Sequence, residues 1–210
     1  MNDKNPDLSN APRNFDFIKK FWWYYIGFLG LSFEGQEHIP TTGGAILAAN
    51  HVTLIDPFAV GQPTPRRVHF MSKKENFKTP LERWFQYSGN AFPVDRDKPD
   101  INAVKTALRI LKGGQLLVIF PQGTRNGQAA KDGVGLFAAR AKVPVIPAGI
   151  VLERNWFGGK KFRVRYGAPI LPEGTAEEIT TKVMHQIEQL IGKPGSLTSH
   201  LQKDSLPKGS

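Results

Sequence analysis

The sequence predicts a single α/β domain in which helices flank a central sheet, mostly parallel or mixed. Short apolar runs of strand length, Ala45–Ala49, Gln115–Phe120 and Val143–Ile150, read as buried strands. Between them lie segments with apolar residues at helical spacing, such as Ile101, Val104, Leu108 and Leu111. The length of 210 residues suits one such domain with a real core and leaves little room for a second. Zero cysteines exclude disulfides, thiolate metal sites and a cysteine nucleophile. A net charge of +10 calls for an anionic partner: nucleic acid, an acidic membrane surface or a phosphorylated substrate.

Residues 1–14 are polar, without the pattern of a secretory signal, and read as a disordered lead-in. Residues 15–35 then change character. From Phe15 to Phe33 there are nine aromatic residues, and only Asp16, Lys19 and Lys20 carry charge. The uncharged run Phe21–Phe33 is 13 residues, against the roughly 20 that a spanning helix needs. Trp and Tyr favour the membrane interface, so this segment is expected to be helical and to dock on a membrane; a core helix covering the sheet is the alternative. The domain proper is expected over residues 36–192, and residues 193–210, rich in Gly, Pro, Ser and Lys, read as a disordered tail.

Within the domain, Gly43-Gly44 leads into the strand Ala45–Ala49, followed by Asn50-His51-Val52-Thr53-Leu54-Ile55-Asp56 and by Pro57, whose fixed φ suits a helix start. An imidazole on a strand-to-helix connection, five residues ahead of a carboxylate, is a candidate general base with its orienting partner. Pro63 and Pro65 break the chain before a second strand, Val68–Met71. The following helix has a partly apolar face, Leu81, Trp84, Phe85 and Ser88. Arg66, Arg67, Lys73, Lys74 and Lys78 form the densest basic cluster, and such a run is ordinarily a solvated face.

A strand ending at Val94 delivers Arg96 to a loop, and Arg holds phosphate through two parallel hydrogen bonds. A helix over about residues 99–112 should bury Ile101, Val104, Leu108 and Leu111, stopping at Gly113-Gly114. After the strand Gln115–Phe120, Pro121-Gln122-Gly123-Thr124-Arg125 combines glycine, a hydroxyl and an arginine, the makings of an anion cradle. A helix through Leu136, Phe137 and Ala141 precedes Val143–Ile150, whose prolines place it at an edge or a strand end. Lys160–Gly167 alternates as a half-exposed strand, its charged face meeting water or headgroups. Thr175-Ala176-Glu177-Glu178 is a capping box for a helix that buries Ile179, Val183, Ile187 and Leu190, with His185 structural.

Four blocks, NHVTLID, GNAFPVDR, FPQGTR and VPVIPAG, stand in an order and spacing that resemble the glycerolipid acyltransferases, including 1-acylglycerol-3-phosphate acyltransferases. The resemblance covers about residues 43–150, and the aromatic start is similar to the membrane-docking helices of some members. It implies acyl transfer from an acyl thioester, acyl-CoA or acyl carrier protein, to a lysophospholipid hydroxyl, most directly that of 1-acylglycerol 3-phosphate. His51 and Asp56 would be catalytic. Arg96, Gln122, Gly123, Thr124 and Arg125 would hold the acceptor phosphate, with Lys131 a further candidate; for the two arginines a surface salt bridge is the alternative. Gln122 departs from the family, which usually has glutamate there.

A one-step transfer is expected, because the chain has neither a cysteine nor a G-x-S-x-G elbow to hold an acyl-enzyme. No metal or further cofactor is called for, since no His/Asp/Glu group shows ligand spacing. Membrane lipid is the expected partner, at the cytoplasmic face as a monotopic protein. Nucleic acid is disfavoured, because the aromatics are bunched in one segment rather than interleaved with basic strands. Another acyl acceptor, such as glycerol 3-phosphate or a non-phosphate amphiphile, fits the same chemistry. Neither the acceptor nor the oligomeric state is readable from these residues.

Overall fold

The computed structural model describes residues 24, 30–53, 56–95, 100–121, 128–154 and 160–192. Its strands are β1 (Ser32–Glu34), β2 (Ala45–Ala49), β3 (Val68–Lys73), β4 (Ala91–Val94), β5 (Leu116–Ile119), β6 (Val145–Arg154) and β7 (Lys160–Tyr166). The helices are α1 (Asp56–Gly61), α2 (Pro80–Ser88), α3 (Ile101–Lys112), α4 (Gln128–Ala141) and α5 (Ala176–Leu190), with 3-10 turns at Gln36–His38 and Lys74–Phe77. The seven strands make one sheet in the order β1-β7-β6-β2-β5-β3-β4. Every neighbouring pair is parallel except β6 and β7, so the sheet is mixed.

Its centre is apolar on both faces, as strands covered by helices on either side must be. All five residues of β2 are buried. Ala45, Leu47 and Ala49 pack on the face that carries Ala59 and Val60 of α1, together with Phe162, Val164 and Tyr166 of β7. Ile46 and Ala48 pack on the opposite face, against Ala103, Ala107, Ile110 and Leu111 of α3, Val134, Phe137 and Ala138 of α4, and Ile179, Val183 and Ile187 of α5. Helices α4 and α5 cross closely at Gly135, where a Cβ would lie 1.8 Å from the Ala176 carbonyl oxygen. The Thr175–Glu178 capping box that starts α5 is present in both directions.

Several expectations need correction. α3 does not turn Ile101 to the core: that residue is 67% exposed, and the buried face is Ala103, Thr106, Ala107, Ile110 and Leu111. Alanines let the helix lie close to the sheet, whereas Ile101 sits in the first turn. Pro147 does not put β6 at an edge, since β6 lies between β2 and β7. The Pro147 carbonyl accepts from Gly167 N–H at 2.8 Å. Its missing N–H would therefore face the same side, at the step between the Val145–Ile170 bridge and the regular ladder that begins at Ala148–Tyr166.

The segment 15–35 assigned to the membrane interface ends inside the sheet, because Ser32–Glu34 pairs with Arg163–Arg165. Two charged residues of β7 are used there: Arg165 Nε donates to Glu34 at 2.9 Å, and Arg163 lies 3.4 Å from the same carboxylate. Arg66, from the basic cluster, is structural, its guanidinium donating to the carbonyls of Pro40, Gly43 and Gly114. Most of residues 15–29, and the terminal segments 1–14 and 193–210, lie outside the described residues.

Candidate active site

The parallel strands β2, β5, β3 and β4 all end at one edge of the sheet, and His51 follows β2 there. The connection leaving β2 leads to α1 on one face, while that leaving the adjacent β5 leads to α4 on the other. Neighbouring strands whose connections diverge to opposite faces leave a crevice beyond their carboxyl ends, the usual ligand site of open α/β sheets. His51 stands beside it with a side chain 41% exposed. Its ring packs on Phe120, just past the end of β5, with centroids 4.6 Å apart.

Asn50 fixes the end of β2. Its buried amide donates to the Ile150 carbonyl at 3.0 Å and accepts from the Ile150 N–H at 2.6 Å, stapling β2 to β6. On the other side, Tyr166 Oη donates to the Val60 carbonyl at 2.8 Å, holding α1 against the sheet. Burial pushes this phenol far above its usual range, keeping it a neutral donor.

Between those two anchors the loop folds around a fully buried carboxylate. Asp56 Oδ2 is 2.9 Å from His51 Nδ1 and accepts from the N–H groups of Val52 at 2.5 Å and Thr53 at 2.7 Å. The Thr53 hydroxyl donates to Oδ1 at 2.7 Å. Burial alone would raise the Asp56 pKa, but the hydrogen bonds from His51, Thr53 and Val52 outweigh it and hold the carboxyl below its ordinary 3.8. An ionised Asp56 can only accept, so Nδ1 is the protonated nitrogen of neutral His51 and Nε2 carries the lone pair. The arrangement is a base with its tautomer fixed by a buried anion.

Of the residues singled out in the sequence, the structure thus joins His51 and Asp56. Lys131 falls in the first turn of α4. Arg96, Gln122, Gly123, Thr124 and Arg125 lie outside the described residues. Sequence reasoning gave no role to Thr53 or Asn50. A hydroxyl residue three positions before a carboxylate was the available signal for Thr53. Nothing local signals Asn50, whose partner is 100 residues away. No described helix is long and apolar enough to cross a membrane.

Comparison with known proteins adds four findings. The chain is similar to the 1-acyl-sn-glycerol-3-phosphate acyltransferase of Bacillus subtilis, 31% identical over 147 residues, which cover 67% of this chain and 74% of that protein. It is similar to the enzyme of the same name from Streptococcus pneumoniae, 29% identical over 177 residues, covering 77% and 67%. Among solved structures, the 1-acyl-sn-glycerophosphate acyltransferase PlsC of Thermotoga maritima superposes with a TM-score of 0.66 at 23% identity, covering 93% of this chain and 81% of that one, a likeness of fold. A family model described as Acyltransferase matches residues 30–151, more than half of the chain. The chain therefore belongs to this acyltransferase family and is an acyl-transferring enzyme.

Proposed function

We propose that the protein transfers a fatty acyl group from an acyl thioester to the free hydroxyl of 1-acylglycerol 3-phosphate, giving phosphatidic acid. The observation that carries this reading is the His51–Asp56 pair at the switch-point crevice. Nε2 of His51 takes the hydroxyl proton as that oxygen attacks the thioester carbonyl. The C–S bond then breaks, and the departing thiolate takes the proton from the imidazolium. Asp56 stabilises the positive ring in between, and no covalent acyl-enzyme is required. The donor is acyl-CoA or an acyl carrier protein thioester.

The acceptor phosphate is bound by Arg96 and Arg125, helped by Gln122, Gly123, Thr124 and Lys131, which the positive charge of the chain favours. The names of the curated relatives support this acceptor. Because both acceptor and product are lipids, the enzyme works at a membrane surface, the cytoplasmic one, as a peripheral protein docked by its N-terminal aromatics.

Thiol release from acyl-CoA and from acyl carrier protein, measured with 1-acylglycerol 3-phosphate, glycerol 3-phosphate and a neutral lysolipid, tests the assignment. Phosphatidic acid should form fastest, and His51→Ala should lower that rate about 100- to 10,000-fold. Near-full activity in a folded His51→Ala protein would remove the mechanism, and a faster reaction with another acceptor would reassign the substrate.

A further inference from the structure

Helix α2 does not bury an apolar face. Ser88 is its one buried residue, and no residue of the helix joins either core. Leu81, Trp84 and Phe85, at positions i, i+3 and i+4, form a single stripe that is 74%, 50% and 44% exposed. Together with Asn76, Glu82 and Gln86 they line an open groove of about 470 Å³. The helix is nevertheless well made, with Thr79 and Glu82 forming a complete capping box and Pro80 in its first turn. A stable helix whose apolar stripe faces outward calls for a partner.

Its flanks are basic. Lys73, Lys74, Lys78 and Arg83 are exposed, against the carboxylates of Glu75 and Glu82, in a chain whose net charge is +10. Its place in the fold is equally specific. β3 and β4 are parallel, and α2 is the return between them. The Lys74–Phe77 turn and the first turn of α2 therefore lie at the sheet edge where His51 follows β2. Exposed Ile101 opens α3 at that same edge, and exposed Val52 adjoins His51.

We propose that the turn and helix spanning residues 74–88 are a lipid-docking surface, distinct from the N-terminal aromatics, that seats the catalytic edge of the sheet on anionic phospholipid. Leu81, Trp84 and Phe85 enter the headgroup boundary, and the surrounding lysines meet phosphate oxygens. A Trp-bearing apolar stripe bordered by cations is the composition of an interfacial helix. A second copy of the chain fits poorly, because three side chains supply about 500 Å² even if wholly buried, against about 800 Å² per partner in a standard interface. The proposal goes beyond the acyl-transfer reading, and its test needs no turnover, so either can fail alone.

The chain has no cysteine, so a single Gln86→Cys in the full-length protein can carry an environment-sensitive fluorophore in the groove. Vesicles of phosphatidylcholine with phosphatidylglycerol should shift its emission to the blue, and headgroup-level spin-labelled lipid should quench it. A label at Lys182, exposed on α5, should not respond. Replacing Lys73 and Lys78 by Gln should weaken vesicle affinity about fivefold per cation, and Leu81→Glu with Trp84→Glu should abolish the emission shift. A silent label at position 86 on protein that still floats with vesicles overturns the proposal, because the contact then lies elsewhere. So does an equal response to phosphatidylcholine alone, or a shift that follows protein concentration without vesicles and so reports a second copy.

Discussion

Asp56→Asn separates charge from geometry at the candidate site. Three donors, His51 Nδ1 and the N–H groups of Val52 and Thr53, converge on Oδ2. In the variant that place must be taken by the amide oxygen, because an NH2 group there would face donors. The amide nitrogen then occupies the Oδ1 position, where the Thr53 hydroxyl can rotate to accept. The loop and the His51 tautomer should therefore survive, and what is lost is the negative charge beside the imidazolium.

Two unit charges 2.9 Å apart interact by about 6 kcal/mol at an effective dielectric of 20. The imidazole is 41% exposed, and solvent screening lowers that ceiling to about 2–4 kcal/mol, or roughly 30- to 1,000-fold in kcat. The acceptor KM should change little. Asp56→Ala instead leaves these part-buried donors without their acceptor, at up to about 1–3 kcal/mol each, and should cost more stability than Asn. Thiol release followed with a chromogenic thiol reagent suits a protein without cysteines, and thermal melts report folding. An Asp56→Asn enzyme that melts like wild type and keeps kcat within threefold would refute the role of the charge.

Four further outcomes are expected. Gly135→Ala pushes a Cβ to 1.8 Å from the Ala176 carbonyl oxygen and 2.6 Å from Thr180 Oγ1; it should cost about 3 kcal/mol, a fall of roughly 6–12 °C in melting temperature, and an unchanged melt would contradict the helix contact. His69 is buried, with Nε2 on Gln115, and burial, with Arg67 nearby, holds its pKa below 6.5. Its contribution is therefore complete above pH 6.5 and is lost as pH falls from there toward the lower folded value, so His69→Gln should flatten the pH dependence of the urea midpoint in that window; an equally steep variant argues against it. Asn50→Ala leaves the Ile150 N–H and carbonyl unpaired, so both stability and kcat should drop while KM holds, and a kcat equal to wild type would show that the staple does not position His51. If Gln122 belongs to the proposed phosphate site, Gln122→Glu adds a negative charge there, so acceptor KM should not improve; a large gain in rate and affinity together would mean that the carboxylate is needed.

What was legible in the sequence is what depends on near neighbours. β2 has the bounds its apolar run implies, and the capping box of α5 is spelled by residues three apart. β1 is the opposite case: three residues gain their place only from pairing with Arg163–Arg165, about 130 positions on, and no local pattern announces it. α3 shows a different limit. Of the stripe Ile101, Val104, Leu108 and Leu111, Leu111 is buried and Val104 and Leu108 pack against the core, but Ile101 is exposed and the most buried side of the helix also carries Ala103 and Ala107, because close approach rewards small side chains as much as greasy ones. The period is legible in the sequence, and only the contact centres the buried face.

The candidate site divides along the same line. Among the described residues, every donor to Asp56 lies within residues 51–53, so the spacing of His51 and Asp56 exposes the pair to anyone reading the chain. Its environment depends on partners far away: Ile150 for Asn50, Tyr166 for the carbonyl of Val60 in α1, and Phe120 under the imidazole. A buried carboxylate without such a frame would hydrate, and the field it exerts on the imidazolium would fall toward its value in water. Local sequence therefore supplies the reacting groups, while contacts across 69 to 106 residues make them strong. Mutations at those distant positions should change how well His51 works as a base without altering any residue that touches substrate.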